Sequence, residues 1–271
     1  MDAAEATAEA HDKASELLLT EYPSDGIARL VLNRPSARNA LSMDLMGALI
    51  EALEALKTND CARVIILSGA GPAFCAGHDL KEVRGADPAL LEAIFSRCSE
   101  LMTALVRHPK PIIAEVHGIA TAAGCQLVAA CDLAISASDA RFATPGVNIG
   151  LFCSTPMVAL SRAVGRKQAM EMLLLGEMIG AAKAHDFGLI NWVVSPDGLR
   201  AETEMLAGKI ASKSPLTLKI GKEAFYAQAE MTLDDAYVYA SKVMVENMLA
   251  RDAQEGIDAF LEKRPPEWEG R

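Results

Sequence analysis

The sequence predicts an α/β core followed by a helical C-terminal part. Three observations carry this. Short apolar runs bounded by Gly and Pro alternate with longer amphipathic patterns up to about residue 195. From about residue 198 the pattern is helical almost without interruption. The chain has 271 residues, 51% hydrophobic and 23% charged, enough for one large core with a helical appendage.

Residues 1–15 are acidic and Ala-rich. They lack the apolar centre of a signal peptide and the Arg bias of a transit peptide, and read as a flexible tail. Leu17 to Thr20 and Ile27 to Leu32 read as strands joined by the turn composition Tyr22-Pro23-Ser24-Asp25-Gly26. Asn33-Arg34-Pro35 ends the second. Ser42 caps a helix from Met43 to Lys57, apolar at 45, 46, 49, 53 and 56. The strand Val64 to Leu67 leads into a loop at 69–81, and Pro88 opens an amphipathic helix to Arg107. Pro111 to His117 is a buried strand. Gly118 breaks it, small residues fill Ala120 to Gly124, and Cys125 to Cys131 continues as an apolar helix.

Leu133 to Ser136 and Phe142 to Thr144 are short strands around a turn, and Pro145 to Gly150 is a loop. Ser154 or Thr155 caps a helix to Val164, with Pro156 in its first turn. From Gln168 the chain is mainly helical, with a strand near Leu189 to Val194 and helices at about 198–212, 215–228, 232–250 and 252–262. The expected organisation is a tail at 1–15, a core at 16–200 and a helical region at 201–271.

The net charge of -10 excludes nucleic acid and anionic membrane as electrostatic partners. No apolar run is long enough to span a bilayer. Six Cys, at 61, 75, 98, 125, 131 and 153, form no Cys-x-x-Cys pair and match no His spacing, so no metal site is expected. Reduced thiols point to a cytoplasmic setting.

Chemistry is suggested by the strand, turn and helix start at His117 to Asp132. The first amides of a helix have no partner inside the helix and carry partial positive charge. Small side chains there let a ligand oxygen approach, which is how a backbone oxyanion site is built. A second strand ends in a similar loop, Phe74-Cys75-Ala76-Gly77-His78-Asp79-Leu80-Lys81.

That loop resembles the Ala-Gly-x-Asp-x-Lys loop of the enoyl-CoA hydratase/isomerase (crotonase) superfamily. Gly118 to Asp132 resembles the family's Gly-x-x-x-Gly-Gly-Gly-x-Glu turn. Leu32-Asn33-Arg34-Pro35 through Asn39-Ala40-Leu41 and Glu255 to Arg264 match further motifs in order. The resemblance implies a crotonase-like spiral of ββα units, with trimers or hexamers built through the C-terminal helices. It implies an acyl-CoA thioester as ligand, with coenzyme A part of the substrate and no separate cofactor.

By motif position, the backbone amides of His78 and Ala123 would hold the thioester carbonyl. Ala123 stands where the family usually has Gly, which is tolerable if its φ is negative. The His78 imidazole is read as pointing away, to solvent or the CoA, with a base role as the alternative. Arg38 and Lys81 would meet CoA phosphates, Lys263 and Arg264 a neighbouring subunit's ligand, and Ala76, Asp79 and Leu80 the adenine end.

The resemblance fails where hydration needs it most. Hydratases use two Glu carboxylates to activate water and deliver a proton. Here Gln126 and Gly146 occupy those positions. Glutamine can hold water but exchanges no proton near neutrality. Cys153 is a candidate nucleophile or pocket residue. Glu115, His117 and Asp132 are read as structural. The expectation is an acyl-CoA enzyme, doubtful as a hydratase. Alternatives are a non-catalytic acyl-CoA binder and a thioesterase or isomerase using other residues. A serine peptidase of related fold is disfavoured because the helix start carries Ala-Gly-Cys. Replacing Gln126 and Gly146 together with Glu is expected to raise hydration.

Overall fold

A computed structural model describes residues 17–271; the expected tail at 1–15 lies outside the described residues. Among the described residues the nine strands are β1 (Leu18–Ser24), β2 (Gly26–Leu32), β3 (Ala62–Gly69), β4 (Ile112–Val116), β5 (Ile119–Thr121), β6 (Leu133–Ala137), β7 (Arg141–Ala143), β8 (Ile179–Gly180) and β9 (Trp192–Val194). The first sheet has the order β1-β2-β3-β4-β6-β9, antiparallel at β1–β2 and parallel elsewhere. β5, β7 and β8 form a second, smaller sheet.

The helices in the first part are α1 (Met43–Lys57), α2 (Leu80–Val83), α3 (Pro88–Val106), α4 (Ala123–Ala130), α5 (Pro156–Ala163), α6 (Arg166–Leu175) and α7 (Ala181–Phe187). α8 (Leu199–Ala211), α9 (Pro215–Gln228), α10 (Leu233–Leu249) and α11 (Arg251–Glu262) complete the chain. The mixed α/β architecture is the one the sequence predicts.

The near-continuous apolar strands follow from a sheet covered on both faces. Alternate residues of β2 and β3, Ala28, Leu30, Leu32, Ile65 and Leu67, face the main core with α1, α3 and α4. Their neighbours Ile27, Val64 and Ile66 face a second core closed by Leu199, Ala207 and Ala211 of α8. The boundary expected at residues 200 and 201 therefore falls inside a helix that seals the sheet, and by packing the core runs to Ala211.

The cap expected at Ser42 and the helix start expected at Pro88 both form: Ser42 Oγ accepts from Leu45 N, and Asp87, the cap ahead of Pro88, accepts from Leu90 N. The cap before α5 does not. Thr155 makes no side-chain cap bond, and Ser154 Oγ donates to Phe152 O. β5 is an addition to the expected elements. Gly118, at φ +59°, turns the chain out of β4 into it at once, so three residues that read as a turn become the edge of the second sheet.

Candidate active site

The site is built where two chain reversals meet. The first is the loop after β3. Asn39, fully buried, braces it: its side-chain oxygen accepts from Arg34 N, and its amide nitrogen donates to Ala70 O and Ala73 O. That is the physical role of the Asn-Arg-Pro to Asn-Ala-Leu motif. Beyond Ala73 the loop lies as an extended thread between β5 and the segment 38–41. Cys75 N donates to Ile119 O and Thr121 N to Cys75 O on one side. Ala76 N donates to Arg38 O, Leu41 N to Gly77 O and Asp79 N to Leu41 O on the other.

Backbone amides alternate sides along an extended chain. With Gly77 O and Asp79 N both bonded to Leu41, His78 N faces away from that segment, and Gly77 beside it packs on the turn that starts α4. The approach there is close. A methyl group on Gly77, whose φ is +99°, would lie 3.5 Å from Ala123 N and 2.9 Å from the Ala122 methyl.

The second reversal is that turn. Ala122 N donates to Ala143 O, and Ala122 O accepts from Gln126 N, closing the first turn of α4. Ala123 is then the first helical residue, as its place in the sequence requires. The strain sits one residue earlier, at Ala122, with φ 50° and ψ -116°. That conformation is ordinarily left to glycine. Neither His78 N nor Ala123 N finds a backbone acceptor outside the regular elements among the described residues.

Around these amides the side chains differ from expectation in several places. The His78 ring does not point away to solvent. It stands edge-on to Phe95 of α3, with centroids 5.2 Å apart, and its Nε2 is buried without a hydrogen-bond partner. Burial lowers its pKa below the ordinary histidine value, so it is neutral at pH 7. One helical turn beyond Phe95, Cys98 Sγ lies 3.8 Å from Gln126 Oε1. Gln126 is almost wholly buried. Thr144 Oγ1, one residue past Ala143, is a second buried polar atom without a partner.

Cys153 is corrected as a nucleophile. Burial raises its pKa, its sulfur accepts from Gly146 N at 3.4 Å, and α5 begins three residues later, so no helix start activates it. Gly146 is not a vacated side-chain position either. A methyl group there would lie 2.5 Å from Leu151 O and 2.9 Å from Cys153 Sγ. The Asp79 carboxylate is buried. One of its oxygens takes Arg34 and the other takes Lys81 N as the cap of α2, so the carboxylate is committed inside the protein. Arg34 and Lys81 N hold its pKa below the usual range, against the opposing effect of burial.

Arg38, Leu80, Lys81 and Lys263 are all exposed. Ala76 N is taken by Arg38 O, and Ala76 O accepts from Thr121 Oγ1. The residues read as structural behave so. Glu115 pairs with buried Arg29, His117 Nε2 bonds Gly71 O, and Asp132 accepts from Ile112 N, Lys222 Nζ and Tyr226 Oη. Sequence reasoning missed Phe95, Cys98 and Thr144 at the site. Only a tertiary contact reveals the first two, since both sit in an ordinary amphipathic pattern.

The fold and motifs have relatives. The family model described as enoyl-CoA hydratase/isomerase matches residues 23–271. The rat protein named enoyl-CoA hydratase domain-containing protein 3, mitochondrial, is 49% identical over 252 residues, covering 93% of this chain and 84% of its own. A crystal structure of an enoyl-CoA hydratase from Mycobacterium smegmatis superimposes with a TM-score of 0.90 at 51% identity, covering 93% of this chain and 98% of that one. The human enoyl-CoA hydratase domain-containing protein 3 does so with a TM-score of 0.90 at 46% identity, covering 93% and 100%. The mitochondrial name overturns the expected cytoplasmic setting; free cysteines do not distinguish one reducing compartment from another. Taken with the loop and turn described above, these matches place the chain in the enoyl-CoA hydratase/isomerase (crotonase) family.

Proposed function

We propose that the protein binds an acyl-CoA thioester, holds its carbonyl oxygen between the amides of His78 and Ala123, and stabilises the enolate that forms there. What supports this reading is the packing of Gly77, the residue before His78, on the turn at Ala123, where a methyl group would lie 3.5 Å from Ala123 N, together with the lack of a backbone acceptor outside the regular elements for either amide among the described residues. In other enzymes one such donor is worth roughly 3–4 kcal/mol to the transition state. The amides polarise the thioester, but efficient hydration needs proton-transfer groups that Gln126 and Gly146 do not supply.

Exposed Arg38 and Lys81 are assigned to the CoA phosphates, with Ala76 and Leu80 along the adenine end and Lys263 reaching a neighbouring subunit's ligand. The association surface is assigned to the helices after Ala211. α9 and α10 bury no residue fully, and Leu233, Tyr237, Leu249, Phe260 and Leu261 are between 70% and 82% exposed. Such a surface favours a closed homo-oligomer, a trimer or hexamer.

A second reading, an acyl-CoA binder without turnover, is favoured by one observation: Gly146 has no room for any side chain. Calorimetry with crotonyl-CoA, butyryl-CoA and free CoA tests recognition of the thioester, and turnover separates the two readings. Binding of the thioesters more tightly than free CoA supports the oxyanion reading. Equal binding of free CoA and thioesters overturns it. Turnover of crotonyl-CoA at rates typical of a hydratase overturns the exclusion of hydration.

A further inference from the structure

We propose that the His78 imidazole is the proton-transfer group of this site, taking a proton from the α-carbon of the bound thioester. The inference rests on the acyl-CoA reading above and deepens it. A buried ring nitrogen without a partner is uncommon, because leaving it unmade costs the desolvation of that group. Here the nitrogen belongs to the residue whose own amide is assigned to the carbonyl oxygen. The α-carbon is two bonds from that oxygen, and the imidazole ring begins three bonds from that amide. Phe95 shields the ring from bulk water, and Cys98, one turn along α3, leads to Gln126.

The other candidates near the loop are committed or inert. Burial pushes the thiols of Cys75, Cys98 and Cys125 up to about 12, so they stay protonated. Asp79 is held by Arg34 and Lys81 N, and Glu82 accepts from Met43 N. Gln126 exchanges no proton. A neutral imidazole, in the tautomer that leaves Nε2 unprotonated, is the form a base requires.

The step balances without a further reagent. The α C–H bond breaks and its proton goes to the imidazole nitrogen. The electron pair of that bond moves into a C=C bond, and the carbonyl pair moves to the oxygen between the two amides. Neutral imidazole and neutral thioester become imidazolium and enolate. The reverse step returns a proton, which in heavy water is a deuteron.

Butyryl-CoA, which cannot be hydrated, is the probe. Wild-type protein in D2O is expected to exchange its α-protons, followed by NMR. His78→Leu is expected to slow exchange by about 100-fold or more, with butyryl-CoA affinity changed only a few-fold because the amide remains. His78→Gln keeps a polar group in place but cannot take a proton, and is expected to lose exchange equally. Exchange retained in either variant overturns the inference. So does wild-type protein that binds butyryl-CoA without exchanging it. Wild-type protein that binds no butyryl-CoA fails the function proposed above, and this inference with it.

Discussion

Gly124 and Cys75 are in backbone contact: a methyl group added to Gly124 would lie 2.0 Å from the Cys75 carbonyl oxygen. The helix start and the loop are thus pressed together at main-chain distance. Neither side can yield, because Cys75 is fixed by its two bonds to β5. Gly124→Ala is expected to cost about 3 kcal/mol, the upper range for overpacking, since the obstacle is backbone. Chemical denaturation measures the cost. Acyl-CoA binding should fall with it, and an Ala variant of wild-type stability would refute the contact.

Ala122 offers the opposite experiment. Its φ of 50° and ψ of -116° suit glycine, and strain of this kind costs of order 1–3 kcal/mol. Glycine also loses more chain entropy on folding. The net expectation for Ala122→Gly is a gain of about 1 kcal/mol, a rise in Tm of roughly 2–4 °C. A fall in Tm would mean the turn is built differently.

The two positions where hydratases carry Glu are not equivalent in this chain. Gly146 meets Leu151 O and Cys153 Sγ, so Gly146→Glu is expected to open the 145–153 segment and cost about 3 kcal/mol or more. The gain expected from sequence for the double replacement is withdrawn for that reason. Gln126→Glu alone is expected to leave crotonyl-CoA hydration within about tenfold of wild type, short of the 10²–10⁴ of a fully placed acid or base. A larger gain would show that one carboxylate suffices.

His108 predicts a pH dependence. It is fully buried, with Nε2 donating to Leu53 O and Nδ1 accepting from Lys110 N. Burial first, and the nearby Lys222 and Lys110 charges, lower its pKa to about 4, against the ring's contacts with the Leu53 and Lys110 carbonyl oxygens, which raise it. The folded state therefore binds fewer protons than the unfolded chain between about pH 6.5 and 4. Stability present above pH 6.5 is lost as pH falls through that window, by on the order of 3 kcal/mol. His108→Gln should flatten this part of the stability–pH curve. An unchanged slope would assign it to other groups.

The regular elements were legible because their signals are local. The Ser42 cap and the apolar positions of α1 are written in one stretch, and the alternation along β2 and β3 follows from period two. The pairing of the His78 and Ala123 amides rests on the resemblance of motifs. The side-chain surroundings were not legible. His78 meets Phe95 across the gap between a loop and a helix, and Asp79 meets Arg34 from 45 residues away. Such contacts have no period to betray them. Closed space at Gly146 is likewise set by a carbonyl five residues on, which composition does not record.

The tie between Asp132 and α9 links parts of the chain that sequence order keeps apart. Asp132 lies two residues beyond α4, and Lys222 and Tyr226 hold it from the helix that begins the exposed C-terminal surface. α9 is therefore fastened just past the far end of the same short helix whose near end carries Ala123. The outer helices and the helix start at Ala123 are thereby joined through one hydrogen-bonded connection at Asp132.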